Sequence, residues 1–344
     1  MIFPFLRGLA SPFKAPAIFL LVLLNVVIFG VSYAVSDRTQ VSIDAILDNS
    51  EFMKTQGILF AQEIKGQPER FSPILSKLSS ESLLGDEESL VAMGNLALRN
   101  NEFMKSALTI APKGDLIAFK YWREKFQKLL SLQAVHPSYF MGLTESQHSL
   151  ETMFLYQFAH SDSGHLFWNM LFLLVFGIFV ESVLGSLRTL LIYLCSGLVA
   201  ALGFAAVSGY SSSPLIGASG AITGLIGVVV TISWGYRLPF FYWLLPIKNY
   251  FGFVLLPAWV LVIVYVLPDL SGYLSSVTDF HSVAYAAHLG GALAGAVIGL
   301  ALRKKFRPHL ERTLDEVYSR LPREVLRNSE GSPVHQSYSQ RPTY

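Results

Sequence analysis

The groups in this chain that could do chemistry lie inside apolar stretches. Ser219 is near the start of the apolar stretch at 214–235 and is flanked by Gly217 and Gly220. The other polar side chains in apolar stretches that could act with this serine are His165, Asn169 and His288. A serine hydroxyl next to an imidazole is a nucleophile with its general base, the arrangement used in acyl transfer. The residue types therefore raise the hypothesis of a serine hydrolase that works in an apolar environment.

Helix packing is a competing explanation for Ser219. Serine and glycine are common where membrane helices touch, and Gly220, Gly224 and Gly227 have the spacing of a helix contact. A histidine within a membrane helix is rare and costly to bury, however, so it marks a candidate functional site. His288 therefore favours chemistry over packing alone.

The composition indicates a membrane protein. Of the 344 residues, 52% are hydrophobic and only 15% are charged, whereas soluble domains carry about 25% charged residues. The net charge of +2 gives no indication of a polyanionic partner such as a nucleic acid. Cys195 is the single cysteine, so no intrachain disulfide is possible, and no Cys/His cluster has zinc-site spacing. We therefore expect a lipid bilayer as the environment and no metal or cofactor.

Six apolar stretches predict six membrane helices, although the second and fifth are short for a span. A cleaved signal peptide is the alternative for the first stretch, but its length and its single strongly polar residue, Asn25, favour a retained helix. The predicted helices are 15–36, 165–183, 187–207, 217–235, 251–267 and 283–302.

Residues 37–150 differ from the apolar stretches because charges of both signs recur there. Helix-like runs at 51–64, 88–99 and 116–132 predict a mostly helical, water-exposed insert between the first two membrane helices. The basic tail at 303–344 contains one amphipathic stretch, 310–321, and ends in a polar segment with a composition typical of disorder.

The basic residues beside the predicted helices indicate the orientation. With six helices they all fall on one side, so the positive-inside rule predicts that both termini are cytoplasmic and that the insert lies outside. The second, fourth and sixth helices then all enter from the outside, which brings the four candidate groups to a similar depth near the outer face. The basic residues are Arg7, Lys14, Arg188, Arg237, Lys248, Arg303, Lys304, Lys305 and Arg307.

The sixth predicted helix carries His288 on a stripe of small residues that includes Gly291 and Gly295. A matching stripe on the fourth helix includes Ser219, Gly220 and Gly224, and packing the two stripes together would bring the imidazole to the hydroxyl. No Asp or Glu lies near enough in the predicted helices to orient the imidazole. The sequence therefore predicts a Ser–His dyad.

An oxyanion formed in such a site needs hydrogen-bond donors. The backbone N–H of Ser219 is available because first-turn amides have no partner within the helix, and Gly217 leaves room for a substrate backbone. Asn169 and His165 lie four residues apart on one helix face and supply side-chain donors. His165 could instead be an interfacial residue that reaches water. We expect no catalytic role for the other polar residues nearby. His160, Ser161 and Ser163 would lie at the water-filled mouth of the site, and Glu181 and Arg188 would form a structural brace on the cytoplasmic side.

These motifs resemble the rhomboid intramembrane serine proteases. The resemblance depends on HLFWN at 165–169, VESVLGSLR at 180–188, GASG at 217–220 and AHLGGALAG at 287–295, and it covers about 135–302 plus a preceding helix. It implies an all-α, six-helix rhomboid-like bundle with a catalytic core at 151–302. It also implies Ser219 as nucleophile, His288 as base, His165 and Asn169 at the oxyanion site, and no metal or cofactor. Substrates would be other proteins' transmembrane segments, cut near the outer face.

The chain departs from the family pattern in three respects. Thr223 stands where many members carry an aromatic residue that stacks on the catalytic histidine, which leaves the positioning of His288 open. The first loop lacks a Trp-Arg pair that many members carry, and the insert is longer than in minimal members.

Two other functions compete with the protease. A non-catalytic relative that binds membrane clients would usually have lost the serine or a histidine, and this chain keeps both. A transporter would line a route across the membrane with polar groups, whereas these cluster at one depth. A plasma membrane or a bacterial inner membrane fits the pattern best, and an organelle membrane is the alternative.

Overall fold

A computed structural model of the chain describes residues 2–4, 14–85, 87–112, 115–144, 149–207, 214–243, 251–275, 282–322 and 325–326. Within these residues the chain is mostly helical, with one three-stranded antiparallel sheet. The first elements are β1 (Ile2–Pro4), α1 (Pro16–Leu47), α2 (Ser50–Gly66), α3 (Pro73–Ser82), α4 (Glu87–Leu98), α5 (Asn101–Ser106), α6 (Leu116–Val135), α7 (Pro137–Met141) and α8 (Leu150–Leu155). The others are α9 (Ser163–Leu184), α10 (Ser186–Val207), α11 (Ser219–Ile232), β2 (Arg237–Trp243), β3 (Phe251–Pro257), a π-helix (Val262–Val266), α12 (Leu267–Ser275) and α13 (Ser282–Tyr318).

Four helices of the described chain are long and apolar enough to cross a membrane: α1, α9, α10 and the Ala284–Tyr318 part of α13. Two shorter apolar helices accompany them, Ser219–Ile232 and Val262–Leu274. The apolar stretches of the sequence therefore become helices in five of the six predicted places. The second and third keep nearly the predicted boundaries, and the first extends to Leu47 instead of 36. The fourth is shorter than the predicted 217–235, and the sixth is much longer than the predicted 283–302.

The prediction of a helix at 251–267 is wrong for its first half, because Phe251–Pro257 is strand β3. It pairs antiparallel with β2, which also pairs with β1. Four of the seven residues of β2 are aromatic, and β3 contains two phenylalanines and a valine. These residue types favour strands over helices. The helical part starts only after Pro257 and continues through the π-helix into α12, so it ends at Ser275.

Helix α13 continues into the tail instead of ending at 302. Phe306, Leu310 and Leu314 recur every four residues and are buried in the main apolar cluster together with Leu238 and Phe240 of β2. The helical spacing of apolar residues thus extends beyond the membrane-length stretch, and packing against the sheet keeps the helix continuous through Pro308.

The helices predicted at 51–64, 88–99 and 116–132 are present as α2, α4 and α6, and α1 extends past 36 to meet them. They surround a second apolar cluster whose largest members are Phe52, Phe60 and Trp122. The buried Gln56 side chain joins these helices, since its amide donates to Gly94 O at 2.9 Å and its oxygen accepts from the Trp122 indole at 3.3 Å. This segment therefore has a core of its own.

Glu181 fastens the beginning of α1 to the end of α9. Its two carboxylate oxygens accept the backbone N–H groups of Ala17 and Ile18, each at 2.9 Å, where helix amides otherwise lack partners. The Arg188 guanidinium lies over the Phe306 ring, with Cζ 5.0 Å from its centre. Both side chains therefore act as the predicted brace.

The small-residue faces of α11 and α13 pack directly together, as predicted. A side chain at Gly291 would collide with the carbonyl oxygen of Gly220, and one at Gly295 would collide with that of Gly224. Glycine is therefore required at these positions by the close approach of two backbones.

The beginning of α1 and the last turns of α13 lie at the end of the bundle opposite the beginnings of α9 and α11. Lys14 pairs with Glu316, and Tyr236, just before β2, donates to Glu311 Oε1 at 2.7 Å. Part of the predicted orientation depends on Arg7 and Lys248, and the predicted disorder concerns the polar tail beyond 326. These residues lie outside the described part of the chain.

Candidate active site

Ser219 is the first residue of α11. Gly217, two residues earlier, has a φ of +107°, a conformation that L side chains rarely adopt. This glycine turns the chain into the helix, and no side chain caps the helix N-terminus. The hydroxyl therefore stands at the positive end of the helix dipole, where the first-turn amides have no partner within the helix.

The imidazole of His288 lies against this hydroxyl. Nε2 of His288 is 2.9 Å from Oγ of Ser219, within hydrogen-bond distance, although 69 residues separate them in the chain. The packed glycine faces of α11 and α13 bring the two residues together. The predicted contact is thereby confirmed.

Asp269 contacts the other nitrogen of the same ring. Its Oδ2 lies 3.1 Å from Nδ1 of His288, and the two side chains are 18% and 25% exposed. The prediction that no Asp or Glu lies near enough to orient His288 is therefore wrong. It failed because the fifth helix was expected to end at 267, which would leave Asp269 in a loop, whereas α12 carries it alongside α13.

Thr223 holds the backbone of His288. Its hydroxyl is 2.8 Å from the Gly220 carbonyl oxygen and 3.0 Å from the His288 carbonyl oxygen, so it connects α11 to α13 at the level of the imidazole. In this chain the histidine is therefore positioned through its backbone and through Asp269.

His165 and Asn169 both face Gly217 from the first two turns of α9. A Cβ built on Gly217 would lie 2.7 Å from Nε2 of His165 and 3.4 Å from Nδ2 of Asn169. Asn169 is 5% exposed, and its Nδ2 has no hydrogen-bond partner among the described residues. A buried donor without a partner is unfavourable by about 1–3 kcal/mol, so this one calls for an explanation.

The orientation of His165 is fixed by its own turn. Asp162 caps α9 by accepting the His165 N–H at 2.9 Å, and the Ser161 hydroxyl is 3.1 Å from Nδ1 of the His165 ring. Hydrogen bonds from Ser161 and from His165 N–H lower the pKa of the Asp162 carboxyl, which keeps the cap charged. With Nδ1 engaged, Nε2 is the nitrogen that faces Gly217, so His165 belongs to the site.

His160 is buried at 6% exposure and does not lie at a wet mouth of the site, which corrects the sequence interpretation. Its ring packs edge-to-face on His165, with centroids 5.1 Å apart. Burial and the neighbouring His165 lower the pKa of His160 to about 4, so the ring is neutral near pH 7. Ser161 and Ser163 are exposed, as expected.

Tyr156 supports the turn before Ser219, a role that no sequence pattern suggested. Its carbonyl accepts the Gly217 N–H at 2.8 Å, and its hydroxyl donates to Gly197 O at 2.7 Å. Leu143 and Leu215 exchange two further backbone hydrogen bonds of 3.0 and 2.7 Å. The segment before α9 therefore fixes the glycine turn that presents the serine.

Comparison with known proteins relates the chain to a domain family and to a plant protein. The family model of the Rhomboid domain matches residues 147–305, which include Ser219, His288, His165, Asn169 and Asp269. Rhomboid-like protein 11, chloroplastic, from Arabidopsis thaliana is 34% identical over 149 residues, which are 43% of this chain and 50% of that protein. The chain thus spans about half the length of this curated relative.

Proposed function

With its rhomboid domain at 147–305, the chain belongs to the rhomboid family, and we propose that it is an intramembrane serine endopeptidase. The observation that carries the proposal is the 2.9 Å contact between His288 Nε2 and Ser219 Oγ at the start of a buried helix. A nucleophile and its base within hydrogen-bond reach are the geometric signature of covalent acyl transfer. Helix packing alone requires no such pair.

The reaction begins with attack of Ser219 Oγ on the scissile carbonyl carbon while its proton moves to His288 Nε2. The C–N bond of the tetrahedral intermediate then breaks as the imidazolium gives that proton to the leaving nitrogen. Water, deprotonated by the same imidazole, releases the new carboxyl end and restores the serine. No step needs a metal or a cofactor.

The oxyanion would be bound by the Ser219 N–H, the Asn169 amide and His165. The unpartnered Nδ2 of Asn169 supports this assignment, because a substrate oxygen that lies close to Gly217 would give that donor its missing acceptor. Each such donor contributes roughly 3–4 kcal/mol to transition-state stabilisation in soluble enzymes. Gly217 keeps the space beside these donors open.

The substrates would be transmembrane segments of other proteins, cut near the outer face of the membrane. The four candidate groups lie where α9, α11 and α13 begin, on the end of the bundle away from Lys14, Arg188 and Arg303. By the positive-inside rule that end faces outward. Our proposal therefore includes cytoplasmic termini and residues 37–150 outside, in a plasma membrane or a bacterial inner membrane, with an organelle membrane as the alternative and no nucleic-acid partner.

The alternative is a non-catalytic rhomboid-like protein that binds membrane clients. The intact Ser219–His288 pair favours the protease, since a binding protein has no need of a base at a serine hydroxyl.

Cleavage of a single-span substrate in liposomes separates the two functions. The wild type is compared with Ser219→Ala and with Ser233→Ala, which makes the same change at the other end of α11. We expect the wild type and Ser233→Ala to give a product whose mass places the cut near the outer face, and Ser219→Ala to give none. A folded wild type that neither cleaves nor reacts with a fluorophosphonate at Ser219 would instead support client binding.

A further inference from the structure

The His288 ring is held from both sides. Nε2 faces Ser219 Oγ at 2.9 Å, and Nδ1 faces Asp269 Oδ2 at 3.1 Å. A neutral imidazole carries one proton on one of these nitrogens. A carboxylate can only accept, so its contact with Nδ1 selects the tautomer with the proton on Nδ1 and leaves the Nε2 lone pair toward the serine.

The approach of Asp269 is built into the packing of α12 on α13. The two helices run antiparallel, so that one turn past the Asp269–His288 contact the next facing pair is Gly272 and Tyr285. A Cβ at Gly272 would lie 2.5–2.9 Å from atoms of the Tyr285 ring, closer than side chains come. The ring lies against the bare backbone of α12, and this contact fixes the register that aligns the carboxylate with the imidazole.

The π-helix immediately before α12 also bears on the direction of Asp269. Val262–Val266 forms five residues of π-helix, and α12 follows without a break. A π-turn takes in an extra residue, which rotates the helix that follows, and such turns occur frequently at functional sites. The rotation sets which side of α12 faces α13, and Asp269 is on that side.

We propose that Asp269 is a positioning residue for His288, so that the site operates as a Ser–His–Asp triad instead of a dyad. The inference rests on the proposed protease function. Asp269 accepts the Nδ1 hydrogen bond, orients the ring and stabilises the imidazolium that forms when Nε2 takes the serine proton, without taking a proton itself. The partial burial of both side chains strengthens the interaction relative to water.

The proposal is tested by measuring the cleavage kinetics of Asp269→Asn in liposomes. Leu270→Ala, at the next position of α12, is the control for a general effect of changing this helix. Asparagine keeps the shape but removes the charge and can turn an N–H toward Nδ1. We expect kcat to fall by at least about tenfold, up to the roughly 10⁴-fold loss that this change causes in a soluble serine triad. KM should change little, and Leu270→Ala should cleave like the wild type. A kcat near wild type in Asp269→Asn would overturn the proposal.

Chemical rescue separates positioning from a merely structural role. Asp269→Ala leaves a partly exposed space beside Nδ1 that formate can enter. We expect added formate to raise kcat of Asp269→Ala and to leave wild type and Ser219→Ala unchanged. If Asp269→Ala is folded and slow but formate gives no recovery, Asp269 supports the fold and does not position the histidine.

A measurement that needs no cleavage keeps this inference separate from the protease proposal. In wild-type protein with ¹⁵N-labelled histidine, the His288 signals are identified by their loss in His288→Gln. We expect a protonated Nδ1 and an unprotonated Nε2 at neutral pH. A protonated Nε2 would refute the role of Asp269 even in an active protease, whereas the expected tautomer in a protein that never cleaves would refute only the protease.

Discussion

Asn169 is predicted to trade stability for catalysis. Its Nδ2 is buried and has no hydrogen-bond partner within the described part of the chain, so the folded protein bears the roughly 1–3 kcal/mol penalty of an unsatisfied donor. Asn169→Leu replaces the amide by an apolar group of similar volume and removes that penalty. The same change deletes one oxyanion donor, which lowers kcat by about 10²–10³-fold, or roughly 2.7–4 kcal/mol.

The assay pairs initial rates with unfolding. Rates at several concentrations of the liposome substrate give kcat and KM, and thermal unfolding in the same lipid gives the stability. We expect a large fall in kcat, little change in KM, and a melting temperature equal to or above that of the wild type. The control is Asn25→Leu, since the Asn25 amide already donates to Leu21 O at 2.8 Å and lies on another helix.

Two results would refute the reasoning. A kcat close to that of the wild type would remove Asn169 from the oxyanion site. A melting temperature well below the wild type, together with slow cleavage, would mean that Asn169 stabilises the fold through contacts that the leucine cannot replace, and that the lost rate reflects a damaged bundle.

Three further predictions concern the Ser219–His288 pair, Thr223, and Glu181 at the other end of α9. Ser219→Ala and His288→Ala should each abolish cleavage, and the double variant should be no slower than either, because the pair acts as a unit; additive losses in turnover would argue against a shared step. Thr223→Val should lower kcat and cost about 1 kcal/mol of stability, because the hydrogen bond to His288 O is lost; unchanged rates and melting would show that the hydroxyl has no part in positioning. Glu181→Gln should lower the melting temperature by the equivalent of roughly 1–2 kcal/mol and leave kcat unchanged. The change removes the negative charge that Glu181 places at the N-terminus of α1, far from Ser219. A selective loss of kcat would contradict the structural role.

The sequence determined the helical segments and the central pair of the site. Long apolar stretches form helices because the backbone must satisfy its own hydrogen bonds in lipid. Glycines at helix-contact spacing on 219–227 and 288–295 identified two faces that pack closely, and the same faces carry Ser219 and His288. For this reason the contact between these two residues was predictable without any structure.

Other features depended on pairings between distant segments. The stretch at 251–257 is apolar enough for a membrane helix, and its pairing with β2 makes it a strand. The tail helix continues past residue 302 because the sheet offers its apolar side chains a surface. The local composition of these segments does not show which distant segment they pack against. The sequence therefore could not decide between strand and helix at 251–257, or where the last helix ends.

Asp269 is the clearest case in which only the tertiary structure decided. In the sequence it is one carboxylate in a connecting segment, 19 residues before His288. Three features of the packing bring its oxygen to Nδ1 of His288. Strand β3 shifts the fifth helix along the chain, the π-helix rotates α12, and Tyr285 packs against Gly272. A hydrogen bond requires placement within a few tenths of an ångström, and such placement comes from packed surfaces instead of residue spacing.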